Sequence, residues 1–242
     1  MPGSPFHGGK MEFRSDMTVE LIKQSADDAD VASSARVSTL GGAARVQESS
    51  TTGLINFLMR DRHGSPFEHA TFTFYVECPV FVAREFFRHR AGWSYNEESG
   101  RYKELAPVFY VPADDRPLRQ VGKPGAYQFE LGTYKQYMTV SGDLRRISRE
   151  AYETYKRLLD LEVAREVSRM VLPVNIYTSF YATCNARSLM HFLSLRTYDE
   201  TSKFPSFPQR EIEMVAEKME DHLHFQMPQT WLAFQNNGRV AP

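Results

Sequence analysis

Between His69 and Cys78 the chain alternates without a break. Phe72, Phe74, Val76 and Cys78 fall on one side, and Thr71, Thr73, Tyr75 and Glu77 on the other. A period of two over that length predicts a half-buried strand. On either side of it the period changes. TTGLINFLMRDRHG (51–64) reads as a short helix in which Thr52 can cap, Leu54, Phe57 and Leu58 form a core stripe, and Gly64 can end the turn. Pro79 suits a first helical position and opens PVFVAREFFRHR as a helix running to Arg90. AGWSYNEESG (91–100), with glycine near both ends, reads as a loop, and RYKELAPVFYVP returns to extended character with Pro107 at an edge.

Residues 112–140 are weakly periodic and leave room for a small helical subdomain. SGDLRRISREAYETYKRLLD (141–160) predicts a helix capped by Ser141, with Leu144, Ile147, Ala151, Tyr155 and Leu158 as its stripe. AREVSRMVLP predicts a short helix stopped before Pro173, and IYTSFYAT (176–183) a strand. NARSLMHFLSLR is a helix capped by Asn185. Pro208 starts a last long helix along Ile212, Val215, Ala216, Met219 and Leu223. Strands and helices mix with no βαβ rhythm and no repeat, which predicts an α+β fold with a mixed or antiparallel sheet. A Gly/Pro/Ser-rich segment, 1–16, is expected to fray ahead of a single domain spanning 17–242.

Composition narrows the function classes. Twenty-nine basic against thirty acidic residues leave a net charge of −1, without the basic excess of a nucleic-acid or anionic-membrane binder. Two distant cysteines, Cys78 and Cys184, suit a reducing cytoplasm better than a disulfide scaffold. MPGSPFHGGK lacks the apolar core of a signal peptide, and no apolar run reaches the ~18 residues of a membrane helix. His222 and His224 are a weak metal signal, so no metal site is expected. Together these features predict a soluble cytoplasmic protein with no nucleic-acid or membrane partner.

The chemistry concentrates in FRHRAGWSYNEESGRY (87–102), which carries Arg88, His89, Arg90 and Arg101 beside Glu97 and Glu98. Neither GxGxxG nor GxxxxGK[ST] occurs, so a phosphate must be held largely by side chains. Arginine suits that task through its planar, bidentate fork. Arg169, Arg187 and Arg196 join the candidates. Arg187 and His191 stand i, i+4 on the helix capped by Asn185, and Arg196 closes that helix. SPFEH (65–69) with His63 forms a second polar knot. Cys184 has no adjacent base and reads as a small core residue rather than a nucleophile. These residues describe an enzyme-like domain for a phosphorylated, planar ligand without naming a reaction.

RHR followed by S-x-N-E-x-S-G-R-Y resembles the signature of the flavin-dependent thymidylate synthases. HGSPFEHATFTFYVECPVFVAREFFRHR resembles the segment leading into it, and REVSRMVLPVNIYTSFYATCNARSLMHFLSLR the family's C-terminal half. The likeness spans most of 52–112 and 165–215, about half the chain. It implies an α+β homotetramer with active sites between subunits, FAD as cofactor, NADPH as reductant, and methylenetetrahydrofolate as carbon donor for converting dUMP to dTMP. Reduced flavin delivers hydride in that family, so no enzyme cysteine need attack the uracil.

Position by position, the resemblance makes His63, Ser65, Glu68, Arg88 and His89 flavin candidates, with Arg90, Glu97, Asn185, Arg187 and His191. It makes Glu85, Arg88, Glu97, Glu98 and Ser99 dUMP candidates, with Gly100, Arg101, Arg169 and Arg196. Arg196 is the expected catalytic group, favouring the N3-ionised uracil, and Ser99 is expected to orient and polarise dUMP. The chain departs from the family pattern in a motif loop one residue longer (AGW), in Glu85 where glutamine is common, and in His191 where asparagine is frequent. The loop 197–210 is also longer. Two other readings stay open at this stage: a folate- and flavin-dependent methyltransferase acting on uracil in RNA, and a non-catalytic phosphate- or nucleic-acid-binding protein.

Overall fold

A computed structural model describes residues 10–42, 50–123 and 126–242. The chain packs as two compact units. The larger comprises Met17–Cys78, Val82–Glu97 and Ser179–Pro242. It is built on a four-stranded sheet in the order β2(Thr18–Ser25)–β3(Thr71–Pro79)–β8(Tyr177–Asn185)–β4(Trp93–Glu97). β2 pairs antiparallel with β3 and β4 antiparallel with β8. The alternation in β3 is realised: Phe72, Phe74, Val76 and Cys78 are fully buried. β8 repeats the arrangement with Phe180, Ala182 and Cys184, so two neighbouring strands present one apolar face. Both cysteines are free and buried, and burial pushes both thiols up.

Around the sheet lie α1(Asp28–Leu40), α2(Thr52–Arg60), α3(Val80–Phe86), α6(Ala186–Arg196), α7(Arg210–Gln226) and α8(Pro228–Asn236). The stripe expected on α7 is buried in full, from Ile212 to Leu223, although the helix starts at Arg210 rather than Pro208. Asn185 caps α6 as expected, its Oδ1 accepting from Ser188 N at 2.8 Å. Residues 18–40, where the pattern gave no element, form β2 and α1.

Local expectations are corrected at several points. In α2 the buried residues are Ile55, Leu58 and Met59, a stripe turned from Leu54 and Phe57, and Phe57 is exposed. That helix ends at Arg60 instead of Gly64. Its threonines cap nothing: Thr51 and Thr52 both donate to Gln229 Oε1, a tertiary bond that outcompetes a local cap. Pro79 closes β3 instead of opening the helix, and α3 stops at Phe86, short of the arginine motif. The loop expected at 91–100 contains β4, where Trp93 and Tyr95 stack near-parallel on one side of the strand.

The second unit holds Glu98–Thr178, Pro79–Phe81 and the segment up to Asp16. Of the segment expected to fray, residues 1–9 lie outside the described residues, and Glu12–Arg14 forms β1, pairing parallel with β5(Val108–Tyr110). β6(Arg119–Lys123) and β7(Ala126–Glu130) make an antiparallel hairpin. α4(Tyr134–Asp160) begins seven residues before Ser141, at a capping box in which Thr133 and Gln136 satisfy each other. Ser141 lies inside this helix, its Oγ accepting from Arg145 Nε. Tyr155 is buried, but Ile147 of the expected stripe is exposed, as are Tyr134 and Met138. α5(Arg165–Ser168) and a 3₁₀ turn, Arg169–Val171, precede Pro173 as expected.

Candidate functional site

In the larger unit the site rests on an aromatic floor. Phe86, the last residue of α3, is fully buried and meets Phe192 of α6 at 4.6 Å, Phe180 of β8 at 5.3 Å and Trp93 of β4 at 5.3 Å between ring centroids. Once that ring is fixed, the next residues must emerge as Arg88-His89-Arg90. Tyr95 secures the emerging turn, its hydroxyl donating to His89 O at 2.6 Å. Gly92 (φ 70°) then bends the chain onto the start of α6, where a Cβ would collide with Ser188 Oγ. Ser188 Oγ donates to Ala91 O at 2.9 Å.

These contacts shape an open cavity of about 610 Å³. Its wall includes Arg88, His89, Arg90, Gly92 and Trp93 from the motif, and Asn185, Arg187, Ser188 and His191 from the N-terminal half of α6, with Glu68 opposite. Arg187 is held at both ends: Nη1 donates to Glu68 Oε1 and Nε to Pro242 O, each at 2.6 Å. Gly64 makes room for that guanidinium, because a Cβ there would press on Arg187 Nε and Pro242 O. Arg62 Nη1 grips the same tail through Val240 O and Ala241 O. Arg88 and Arg90 form no ion pair among the described residues and are exposed.

Beside the cavity Arg196, at the end of α6, donates from Nε to His89 Nε2 at 3.0 Å and from Nη1 to Glu85 Oε1. The His89 ring packs edge-on against Phe192 at 4.8 Å. Burial, with the charges of Arg196 and Arg88, lowers its pKa to about 4. It is therefore neutral at physiological pH, with Nε2 an acceptor and the proton on Nδ1. His191 is lowered for the same reasons, by burial and by Arg187 and Arg62.

Of the expected flavin set, Glu68, Arg88, His89, Arg90, Asn185, Arg187 and His191 come together on this cavity. His63 and Ser65 do not line it: His63 stacks on Phe57 at 5.5 Å, and Ser65 is exposed at the start of a 3₁₀ turn. Glu97 is exposed at the end of β4. Among the nucleotide candidates, Glu85 and Arg196 are joined to each other and to His89. Glu98, Ser99, Gly100, Arg101 and Arg169 belong to the other unit. There Glu98 pairs with Lys103 at 2.6 Å and Arg101 with Glu166 at 3.1 Å. Ser99 Oγ accepts from Arg101 N, and buried Gly100 packs so that a Cβ would touch Leu105 and Arg169. Sequence reasoning missed Trp93, Tyr95, Gly92 and Ser188; the Trp-x-Tyr spacing was the available signal for the first two.

In this α+β protein unpaired arginines, a planar indole and an asparagine-capped helix start surround one open cavity, a set of groups chemically suited to a planar, negatively charged ligand. Residues 20–229 match the family model described as thymidylate synthase complementing protein. A flavin-dependent thymidylate synthase from Streptomyces avermitilis is 57% identical over 246 residues, covering all of both chains. One from Tropheryma whipplei is 56% identical over 233 residues, 95% of this chain and 97% of that protein. Among solved structures, a UMP/dUMP methylase, PolB from Streptomyces cacaoi bound with 5-Br dUMP, superposes with a TM-score of 0.91 at 52% identity, covering 96% of this chain and 100% of that one. The same enzyme bound with 5-Br UMP gives 0.89 at 53%. This chain belongs to the flavin-dependent thymidylate synthases, a family of methyltransferases.

Proposed function

We propose that the protein methylates dUMP to dTMP in the cytoplasm, using FAD, with methylenetetrahydrofolate as carbon donor and NADPH as reductant. The cavity residues suit the flavin. Arg88, Arg90 and Arg187 with the α6 N-terminus offer cationic and N–H groups to a diphosphate, and Trp93 a flat apolar surface to a ring. Bound there, the cofactor would supply the hydride that completes the methyl group. The chain's own part is to orient, to polarise and to exclude water. Arg196 meets the uracil O2/N3 edge and favours its N3-ionised form, raising electron density at C5. Glu98, Ser99, Gly100, Arg101 and Arg169 hold the nucleotide, Ser99 as a polarising hydroxyl and Gly100 through close backbone approach. Neither buried thiol takes part. The observation that carries this reading is the convergence of Arg88, His89, Arg187 and His191 on one cavity with Arg196 bonded to its edge through His89.

The purified protein is expected to be yellow, and its reduced flavin to be reoxidised on adding dUMP with methylenetetrahydrofolate, yielding dTMP. Absence of dTMP from that mixture rejects the reading. Arg196→Ala is expected to reduce dTMP formation to a small residual rate, still measurable in single turnover, while flavin stays bound. UMP in place of dUMP is the informative second arm, because PolB is described as acting on both. The active form is a homotetramer with sites between subunits, a reading supported by the exposed Tyr134, Met138 and Ile147 along α4. Sedimentation equilibrium tests it.

A further inference from the structure

We infer that Glu85 and His89 are positioning residues for Arg196, fixing its guanidinium so that the N–H groups they leave over are the ones offered to the substrate. The inference rests on the catalytic role given to Arg196 above.

An arginine carries five N–H donors in a rigid plane. Two of Arg196's are engaged within the protein, Nε–H by His89 Nε2 at 3.0 Å and one Nη1–H by Glu85 Oε1. The remaining Nη1–H and both Nη2–H groups lie along the outer part of the fork, a donor pattern that matches adjacent ring oxygen and nitrogen acceptors. The two holders are themselves fixed. Glu85 lies in the last turn of α3, and the backbone continues in tight turns, Arg88 N bonding Glu85 O and His89 N bonding Phe86 O. His89 is pinned at its carbonyl by Tyr95 and at its ring by Phe192. Arg196 and Glu85 side chains are only 18% and 24% exposed, so the pair is far less screened than a surface bridge.

Charge separates this role from direct nucleotide contact. A carboxylate set against an anionic nucleotide would repel it. A carboxylate spent on Arg196 instead restricts the guanidinium and leaves a neutral imidazole as the second holder. Glutamate at position 85 then acts on dUMP only through Arg196.

The test is a kcat comparison on flavin-loaded protein, with flavin content verified from the visible spectrum. Glu85→Ala is expected to lower kcat about tenfold with dUMP KM within about twofold, the size of losing one charged hydrogen bond needed in the transition state. Glu85→Gln, which keeps an acceptor oxygen for Nη1, recovers most of that loss, and His89→Gln does the same relative to His89→Ala. In an Arg196→Ala background, single-turnover rates fall no further when Glu85→Ala is added. An equal fall in both backgrounds, or Glu85→Gln as slow as Glu85→Ala, overturns the positioning role. If Arg196→Ala alone turns over normally, the catalytic reading of Arg196 fails instead, a different result from an additive cycle.

Discussion

At the scale of single residues, the site's electrostatics yield a sign. His89 is lowered from 6.5 to about 4 by burial and by Arg196 and Arg88, so the unfolded chain binds its proton more readily than the folded one. Stability from this group is therefore fully present above pH 6.5 and declines as pH falls towards 4. His89→Gln should flatten the fall in urea midpoint between pH 6.5 and 4, partially, since His191 shifts in the same direction. Arg88, exposed on the cavity wall, is expected to serve both ligands. Arg88→Ala should weaken flavin and dUMP together by about tenfold each, read in separate titrations. The sequence points to seven of the cavity residues, Glu68, Arg88, His89, Arg90, Asn185, Arg187 and His191, because their types are rare together and the family signature orders them. It could not reveal that Arg196 is held by Glu85 and His89, since residues more than a hundred positions apart are joined only by the packing of α3 against α6.

Among the elements, legibility followed the length of uninterrupted pattern. β3 offers eight alternating residues, Thr71 to Cys78, and is plain. β4 offers five, flanked by turn-forming glycines, and its paired Trp93 and Tyr95 were too few to outweigh those breakers. The first turns of α4 lay in weakly periodic sequence, where only the Thr133/Gln136 box marks the start. α2 was mis-phased because its five apolar residues fit two faces, and contact with the rest of the unit chose Ile55, Leu58 and Met59. The glycine turn between α3 and β4 carries a prediction of its own. Gly92→Ala must strain a φ of 70° and displace Ser188, costing about 1–3 kcal/mol. Both the thermal midpoint and the flavin retained on purification should drop. Tyr95→Phe removes one hydroxyl donor and should cost about 1 kcal/mol by urea titration, with its effect on kcat exceeding that on dUMP KM.

For the molecule as a whole, the tail from Arg239 onward is a structural member. Arg239 is 4% exposed and donates to both carboxylate oxygens of Glu220, at 2.6 and 2.7 Å, and to Thr197 Oγ1. Glu220→Ala removes both of these bonds and leaves the buried guanidinium only the more distant carboxylate of Asp199, 3.8 Å away, so it should cost about 3 kcal/mol, visible as a lower denaturant midpoint. No helix among the described residues is long and apolar enough to cross a membrane. The two sequestered sulfurs give the protein a built-in clock. Cys184 directly precedes the asparagine that caps α6, and neither it nor Cys78 can be alkylated while β3 and β8 stay closed. The rate at which a maleimide modifies the native protein thus times the opening of these strands, and ligands that slow the modification would be reporting how firmly they hold the sheet shut.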